Sequence, residues 1–149
     1  MNGYQAATSG FLTQSVSAAL QMPEKTHACT LPQFTAEAAR LIPHSQLMAT
    51  IQKKKLYREV IERLNAQAPN IPPLGKAEWI EEPPAYLHYF FSGTDIYIYE
   101  WDGEDTMYGT CIPDHDLDMA YAGLFSLSNI KSNMFVELDY YFTGQTIAA

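Results

Sequence analysis

Two aromatic runs, YLHYFF at residues 86–91 and IYIYEW at residues 96–101, carry the strongest structural signal in this chain. Aromatic and β-branched side chains dominate both runs, and they recur with the two-residue period of a β-strand. A short polar segment containing Gly93 separates the runs, and the turn-forming dipeptide Asp102-Gly103 follows the second one. This pattern predicts antiparallel strands that are joined by tight hairpins.

Three further strands are expected after these two. Residues 107–112, 120–125 and 136–142 are largely apolar or alternate apolar with polar side chains. Ser126 is placed to cap a short helix that begins at Leu127. The whole stretch therefore predicts a five-stranded, mostly antiparallel sheet.

The two-residue period also predicts which side chains of the second strand share a face of the sheet. Aromatic residues on one face would form a rigid contact surface with polar tips, of the kind enriched at protein interfaces. We expect Ile96, Ile98 and Glu100 on one face, and Tyr97, Tyr99 and Trp101 on the other.

The first half of the chain predicts helices. A short helix is expected over residues 11–21, and Thr35 can cap a second one that Pro43 stops. The strongest helical signal is Ser45 to Ala66, which contains neither Gly nor Pro. Its apolar residues fall on two faces with Lys53-Lys54-Lys55 between them, so either the helix bends there or its two faces meet different surfaces.

A proline-rich break at residues 69–73 separates the two halves. It predicts a helical N-terminal extension over residues 1–68, an aromatic-rich sheet domain over residues 71–142 and a short tail over residues 143–149. The fold class expected is α+β, with N-terminal helices followed by the sheet.

The charge of the chain is unevenly distributed. The formal net charge is −8, and residues 76–149 carry two basic and thirteen acidic side chains. An acidic surface repels phosphate, so we expect no direct nucleic-acid binding, and a basic protein surface is the better partner. An excess of acid also keeps a protein in solution without any partner, which is the plainer interpretation.

Membrane and export signals are not apparent in the sequence. No apolar run approaches the roughly 20 residues of a membrane span. Residues 1–20 contain neither Lys nor Arg, so no signal peptide is expected. Cys29 and Cys111 are far apart, and we expect both to be reduced thiols, with Cys111 buried and unreactive inside its strand.

The sheet region resembles a small domain family of unknown function that is widespread on bacterial plasmids, conjugative elements and phages. Members typically read Trp-Tyr-x-x-Glu-Phe-Asp-Gly, then Phe-Gly-Leu-Val, then Gly-Tyr-Phe-Ser-Leu-x-Glu-Leu, and end in Glu-Arg-Asp-Leu-Tyr-Phe. The matching segments here are YIYEWDGED at 97–105, MYG at 107–109, GLFSLSNI at 123–130 and ELDYYF at 137–142.

The resemblance covers Ile71 to Phe142, and it departs from the family at two positions. Asn129 stands where the family usually has Glu, and Leu138 stands where it has Arg. A charged site built from that family pair would therefore be incomplete in this chain.

The resemblance implies a mobile-element origin and a fold rather than an activity. Small acidic proteins of such elements often counter host defence by binding the defence machinery. By this analogy we expect a non-enzymatic interaction protein in the cytoplasm of a bacterial host. More specifically, the resemblance leads us to expect an anti-CRISPR or anti-restriction inhibitor that occupies a basic surface of a host nucleic-acid-processing protein.

Aromatic anchors and loop carboxylates are the candidate residues for binding such a partner. The aromatic residues would supply contact area, and the carboxylates would steer a basic surface toward it. The candidates are Tyr97, Tyr99, Glu100, Trp101, Asp102, Glu104, Asp105, Asp114, Asp116 and Asp118.

The same carboxylates leave other functions open. Their spacing is not that of a helix-loop-helix calcium site, and the His and Cys residues are too scattered to predict a zinc site. We therefore expect no cofactor, no metal and no catalytic residue. The alternatives are a small metal-dependent hydrolase that uses the loop carboxylates, and a self-assembling structural protein that forms a homodimer through its aromatic face.

Overall fold

The computed structural model describes residues 30–144. Cys29 and the helix predicted over residues 11–21 lie outside the described residues. Within them the chain forms helices followed by a five-stranded antiparallel sheet, so the predicted α+β fold is confirmed.

The elements follow one another in chain order with short connections. Three helices, two short 3₁₀ turns and three strands come first: α1 (Ala36–Arg40), α2 (His44–Gln52), α3 (Arg58–Gln67), Ala68–Asn70, Ala77–Trp79, β1 (Leu87–Phe91), β2 (Thr94–Trp101) and β3 (Thr106–Ile112). Two further 3₁₀ turns and the remaining elements follow: Pro113–His115, Leu117–Met119, β4 (Tyr121–Ser126), α4 (Leu127–Ser132) and β5 (Glu137–Leu138).

The sheet has the order β4-β3-β2-β1-β5, and every neighbouring pair is antiparallel. The β1–β2 connection is a two-residue turn in which Ser92 and Gly93 both have positive φ, at 45° and 81°. Turns of this kind match the right-handed twist of the strands, and they fix the register of the hairpin.

The final strand is much shorter than the prediction over residues 136–142. β5 pairs with β1 only through Tyr89↔Leu138 and Phe90↔Glu137. The chain then turns, because the Asp139 carboxylate accepts a hydrogen bond of 3.0 Å from the backbone N–H of Tyr141. The prediction of a long fifth strand was therefore wrong, and a local side-chain turn ends it.

A β-bulge in β2 changes the predicted faces of the sheet. The register with β3 shifts between Ile98 and Glu100, so Glu100 pairs with Tyr108 and Trp101 pairs with Met107. Trp101 consequently lies in the main core, whereas Tyr99 belongs to a separate cluster. The prediction of one face shared by Tyr97, Tyr99 and Trp101 was wrong, because a bulge inserts one residue and reverses the alternation.

The long helix predicted from Ser45 to Ala66 is two helices. α2 ends at the C-cap Lys53, and a turn follows in which the N–H groups of Leu56 and Tyr57 both bond to the carbonyl of Lys53. α2 also begins one residue before the predicted cap Ser45. The break lets α3 bury Val60, Ile61 and Leu64, whereas Leu47 of α2 packs against the core and Met48 and Ile51 remain exposed.

Two predicted caps are confirmed. Thr35 Oγ1 accepts a hydrogen bond of 3.1 Å from the N–H of Ala38 at the start of α1. Ser126 Oγ accepts one of 3.3 Å from the N–H of Asn129 at the start of α4.

The helices and one face of the sheet share a single core. Its members include Leu41 and Leu64 from the helical half, together with Ile98 and Met107 from the sheet. Tyr89 joins the two halves directly, since its hydroxyl donates a 2.6 Å hydrogen bond to the carbonyl of Leu41. Cys111 is a buried free thiol in this core, as predicted.

No helix within residues 30–144 combines the length and the apolar character that crossing a membrane would require.

Candidate interaction surface

The sheet face opposite the main core is a second aromatic cluster, and it is largely covered. Tyr99 is buried there with Ala77 and Ala85, and Tyr97 and Phe142 pack against them. The Tyr99 hydroxyl lies 2.7 Å from Thr110 Oγ1. Most of the aromatic surface predicted from the sequence therefore contacts other parts of the same chain.

Glu100 and Trp101, both candidate partner-binding residues, lie inside the protein. Glu100 is 1% exposed, and its carboxylate accepts hydrogen bonds from the backbone N–H groups of Lys76 and Ala77, the latter at 2.9 Å. The indole N–H of Trp101 donates to the carbonyl of Glu104 at 3.0 Å. Both side chains hold the strand and its neighbouring segments together.

The β2–β3 hairpin uses two of its carboxylates internally. Asp102 Oδ1 accepts hydrogen bonds from the N–H groups of Glu104 at 2.8 Å and Thr106 at 3.1 Å. Asp105 accepts from Ser126 Oγ and from the N–H of Ser128, both at 2.7 Å. Hydrogen bonds from Ser126 and then Ser128 hold the pKa of Asp105 below its usual value, because they stabilise the charged form. Glu104 projects into solvent.

The segment between β3 and β4 is very different. All nine residues from Asp114 to Ala122 are exposed. Asp116 Oδ1 accepts a 3.0 Å hydrogen bond from the N–H of Asp118, which shapes the second 3₁₀ turn. Asp114 and His115 adopt positive φ angles of 50° and 57°. The segment therefore presents its side chains to solvent along a defined backbone path.

This segment leads into β4, which lies at the edge of the sheet. Large apolar side chains follow the carboxylates along the segment and β4, and these apolar side chains are 54–70% exposed. We call this surface the acidic edge, and it comprises Asp114, Asp116, Leu117, Asp118, Met119, Tyr121 and Leu124.

A polar network that the sequence did not reveal anchors the start of the acidic edge. His88 Nε2 lies 2.7 Å from Asp95 Oδ1, and His88 Nδ1 lies 3.1 Å from Asp139 Oδ2. His115 Nδ1 lies 3.0 Å from the other oxygen of Asp95. A neutral imidazole has one N–H and can donate to only one carboxylate, whereas an imidazolium donates to both. The network joins the loop after β3 and the turn after β5 to the middle of the sheet.

An aromatic ring covers this network. Tyr97 stacks on His88 with the ring centroids 4.5 Å apart and the planes 7° apart. Burial raises the pKa of Tyr97, and the negative charges of Asp95 and Asp139 raise it further. Tyr97 is therefore a neutral phenol at ordinary pH, and its ring covers the network. His88 stands in an aromatic run of the sequence, and its contacts with Asp95 and Asp139 form only when β1, β2 and the turn after β5 come together.

Within the part of the chain that the structure describes, no Lys or Arg forms an ion pair with the carboxylates of the acidic edge. Among the side chains that the structure describes, every ion pair involves a histidine, so no described Lys or Arg lies within 4.0 Å of these carboxylates. In the same part of the chain, no three His, Cys, Asp or Glu side chains are grouped so that they could hold a metal ion. The carboxylates of the acidic edge point outward instead of converging.

Comparison of the chain with protein-family models, with curated proteins and with solved structures found no match.

Proposed function

We propose that this protein is a non-enzymatic binding protein that places its acidic edge on a basic surface of another protein. The observation that carries the proposal is the exposed run from Asp114 to Ala122, in which carboxylates and large apolar side chains alternate. Exposed apolar side chains that follow one another closely are typical of interaction sites, and Leu117, Met119 and Tyr121 stand at every second position of this run.

The two kinds of side chain would contribute differently to binding. Unpaired carboxylates at the rim of an interface mainly accelerate association with a positively charged partner and discourage negatively charged ones. Apolar and aromatic side chains lose water on contact and supply most of the affinity. Leu117, Met119, Tyr121 and Leu124 take this role, in place of the buried Trp101.

The setting we propose is the cytoplasm of a bacterial host that carries a mobile genetic element. Enzymes of restriction and CRISPR defence bind nucleic acid through basic surfaces. A protein that offers carboxylates where nucleic acid offers phosphates would compete for such a surface. Counter-defence inhibition is therefore the specific function we propose, on the strength of the charge of this edge and of the family resemblance.

Affinity capture with charge variants tests the proposal. The tagged protein is used to capture partners from host lysate at low and high salt, and the captured protein is then purified. Its affinity is measured for the wild type, for Asp114→Asn/Asp118→Asn and for Glu81→Gln/Glu82→Gln. Both variants remove two exposed carboxylates, and neither Asp114 nor Asp118 accepts a side-chain hydrogen bond within the described residues.

We expect the first variant to bind about 2- to 30-fold more weakly, with little change for the second, since each of the two rim charges contributes roughly 0.2–1 kcal/mol. Added nucleic acid should compete with the protein for its partner. Equal affinities for both variants, or capture that does not respond to salt or nucleic acid, would contradict the proposal.

A further inference from the structure

We infer that β4 accepts an extended strand of the partner by antiparallel addition to the sheet, and that this strand carries Lys or Arg residues at its carboxyl end. The inference rests on the proposed function, because it specifies how the basic partner is held.

Within the described residues, the outer side of β4 is unpaired. The strand spans Tyr121–Ser126 and pairs there with β3 alone, without a bulge, from Thr106↔Ser126 to Cys111↔Tyr121. In an antiparallel pair, alternate residues direct their N–H and C=O groups away from the partner. These outward groups are the ones that an added strand uses.

The opposite edge of the sheet is closed. β5 has two residues, and the side-chain amide of Gln46 occupies its outer side. Gln46 Nε2 donates to the carbonyl of Leu138, and Gln46 Oε1 accepts from the N–H of Leu138, each at 2.8 Å. Strand addition is therefore directed to β4.

β4 also lacks the features that normally prevent strand addition. Proteins protect their edge strands with Lys, Pro, bulges or inward-pointing charges. The sequence of β4, YAGLFS, has no charged residue and no proline. Leu124 is largely exposed on the side of the sheet that carries Tyr108, its register partner, and Tyr121 is exposed on the other side. Alternate apolar side chains of an added strand would contact each of them.

The charges at the two ends of β4 give the added strand a direction. Asp114, Asp116 and Asp118 precede the amino end of β4, so an antiparallel strand would bring its carboxyl end to them. At the other end of β4, Arg40 and Lys131 line a cavity of about 550 Å³ together with Glu104 and Asp105. The formal charges of these four residues cancel, whereas the amino end of β4 carries uncompensated carboxylates, so basic residues are favoured at the carboxyl end of the added strand.

A second copy of this chain meets these requirements less well. In a symmetric β4–β4 pair, the residues that follow β4 would lie toward the carboxylates of the other copy. The only basic residue of α4 is Lys131, and its ammonium group already donates a 2.7 Å hydrogen bond to the carbonyl of Arg40. A separate basic partner is the occupant that the charges favour.

Two synthetic peptides test the inference on the full-length protein. In the first, alternating Val and Thr residues are followed by Lys-Lys-Lys, and in the second the same lysines precede the alternating run. Both are blocked at their ends and labelled for fluorescence anisotropy. We expect the first peptide to bind at least about fivefold more tightly than the second. It should also protect the amides of β4 from hydrogen exchange.

A matched pair of lysine variants locates the binding. Leu124→Lys adds an edge lysine on β4, whereas Leu56→Lys changes a similarly exposed leucine in the turn between α2 and α3. We expect Leu124→Lys to weaken binding of the first peptide by about tenfold or more and Leu56→Lys to leave it unchanged. Circular dichroism verifies that both variants fold, and Ala122→Lys provides a second edge variant.

Equal binding of the two peptides, or exchange protection outside β4, would overturn the inference. Concentration-dependent dimerisation that Leu124→Lys abolishes, without peptide binding, would assign the edge to a second copy and overturn it too. If no peptide binds but Asp114→Asn/Asp118→Asn still weakens partner capture, the inference fails and the proposed function stands. If the peptide binds at β4 but Asp114→Asn/Asp118→Asn captures the partner as well as the wild type does, the proposed function fails instead.

Discussion

Gln46 and Leu138 are joined like residues of two neighbouring strands, although Gln46 lies on a helix. The side-chain amide makes both hydrogen bonds that an adjacent strand would make, each at 2.8 Å. The contact links α2 to the edge of the sheet across 92 positions of sequence. It also satisfies backbone groups of a strand that would otherwise have an unpaired side.

Replacing Gln46 should therefore destabilise the fold. Gln46→Ala removes two partly buried hydrogen bonds, and we expect the free energy of unfolding to fall by about 1–3 kcal/mol. Urea denaturation measures the change. Gln52→Ala, at an exposed position of the same helix, is the control and should change the stability by less than about 0.5 kcal/mol. Equal effects of the two substitutions would mean that the Gln46–Leu138 contact is not stabilising.

The buried carboxylate of Glu100 should contribute to the stability of the fold. Glu100→Ala leaves the N–H groups of Lys76 and Ala77 without their acceptor. We expect a loss of about 2–4 kcal/mol, since a buried donor without a partner and a lost charge-assisted hydrogen bond both cost free energy. Chemical denaturation of Glu100→Ala against Glu104→Ala, at an exposed position of the following turn, measures it. A loss no larger than that of Glu104→Ala would show that this carboxylate does not hold the Lys76–Ala77 segment.

The contribution of Asp105 to the stability of the fold should depend on pH. Its pKa is lower in the folded protein than in an unfolded chain, because Ser126 and Ser128 donate hydrogen bonds to the carboxylate. A group of this kind adds stability above its unfolded pKa of about 4, and the contribution is lost as the pH falls through the lower folded value. Asp105→Asn should therefore be less stable than the wild type at neutral pH, and the difference should shrink in acid. Thermal melting from neutral to strongly acidic pH, with Glu104→Gln as control, tests this; a difference independent of pH would refute it.

Tyr97 reports on the charges around His88. Burial and the carboxylates of Asp95 and Asp139 raise its pKa, because each disfavours the phenolate. Asp139→Asn should lower the pKa of Tyr97, since it removes one negative charge. Site-resolved NMR titration of ¹³C-labelled tyrosine measures the shift, and Asp118→Asn is the control. An unchanged or higher pKa in Asp139→Asn would show that this carboxylate does not act on Tyr97.

Local patterns predicted much of the fold. Alternation placed the first four strands and the position, though not the length, of the fifth; the Asp102-Gly103 turn placed a hairpin, and Thr35 and Ser126 were identified as caps. Each of these features depends on residues that are close in sequence. The polar loop that carries Asp114, Asp116 and Asp118 was also predicted, and it is exposed as such segments between strands normally are.

The candidate site was predicted less completely, and the reasons are specific. The bulge between Ile98 and Glu100 has no mark in the sequence, and it moved Trp101 from the expected contact face into the core. The exposed apolar side chains Leu117 and Met119 were missed because sequence patterns favour burial for such residues.

The α+β class, the strand-forming segments and the acidity of the second half of the chain follow from local sequence. Which carboxylates make internal hydrogen bonds and which face solvent depends on the folded chain. So does the arrangement of the sheet edges, in which β4 has an unpaired side within the described residues while Gln46 occupies the outer side of β5. These outcomes depend on contacts between residues far apart in sequence, such as Gln46 with Leu138 and His88 with Asp139, and neither period nor composition encodes such contacts locally.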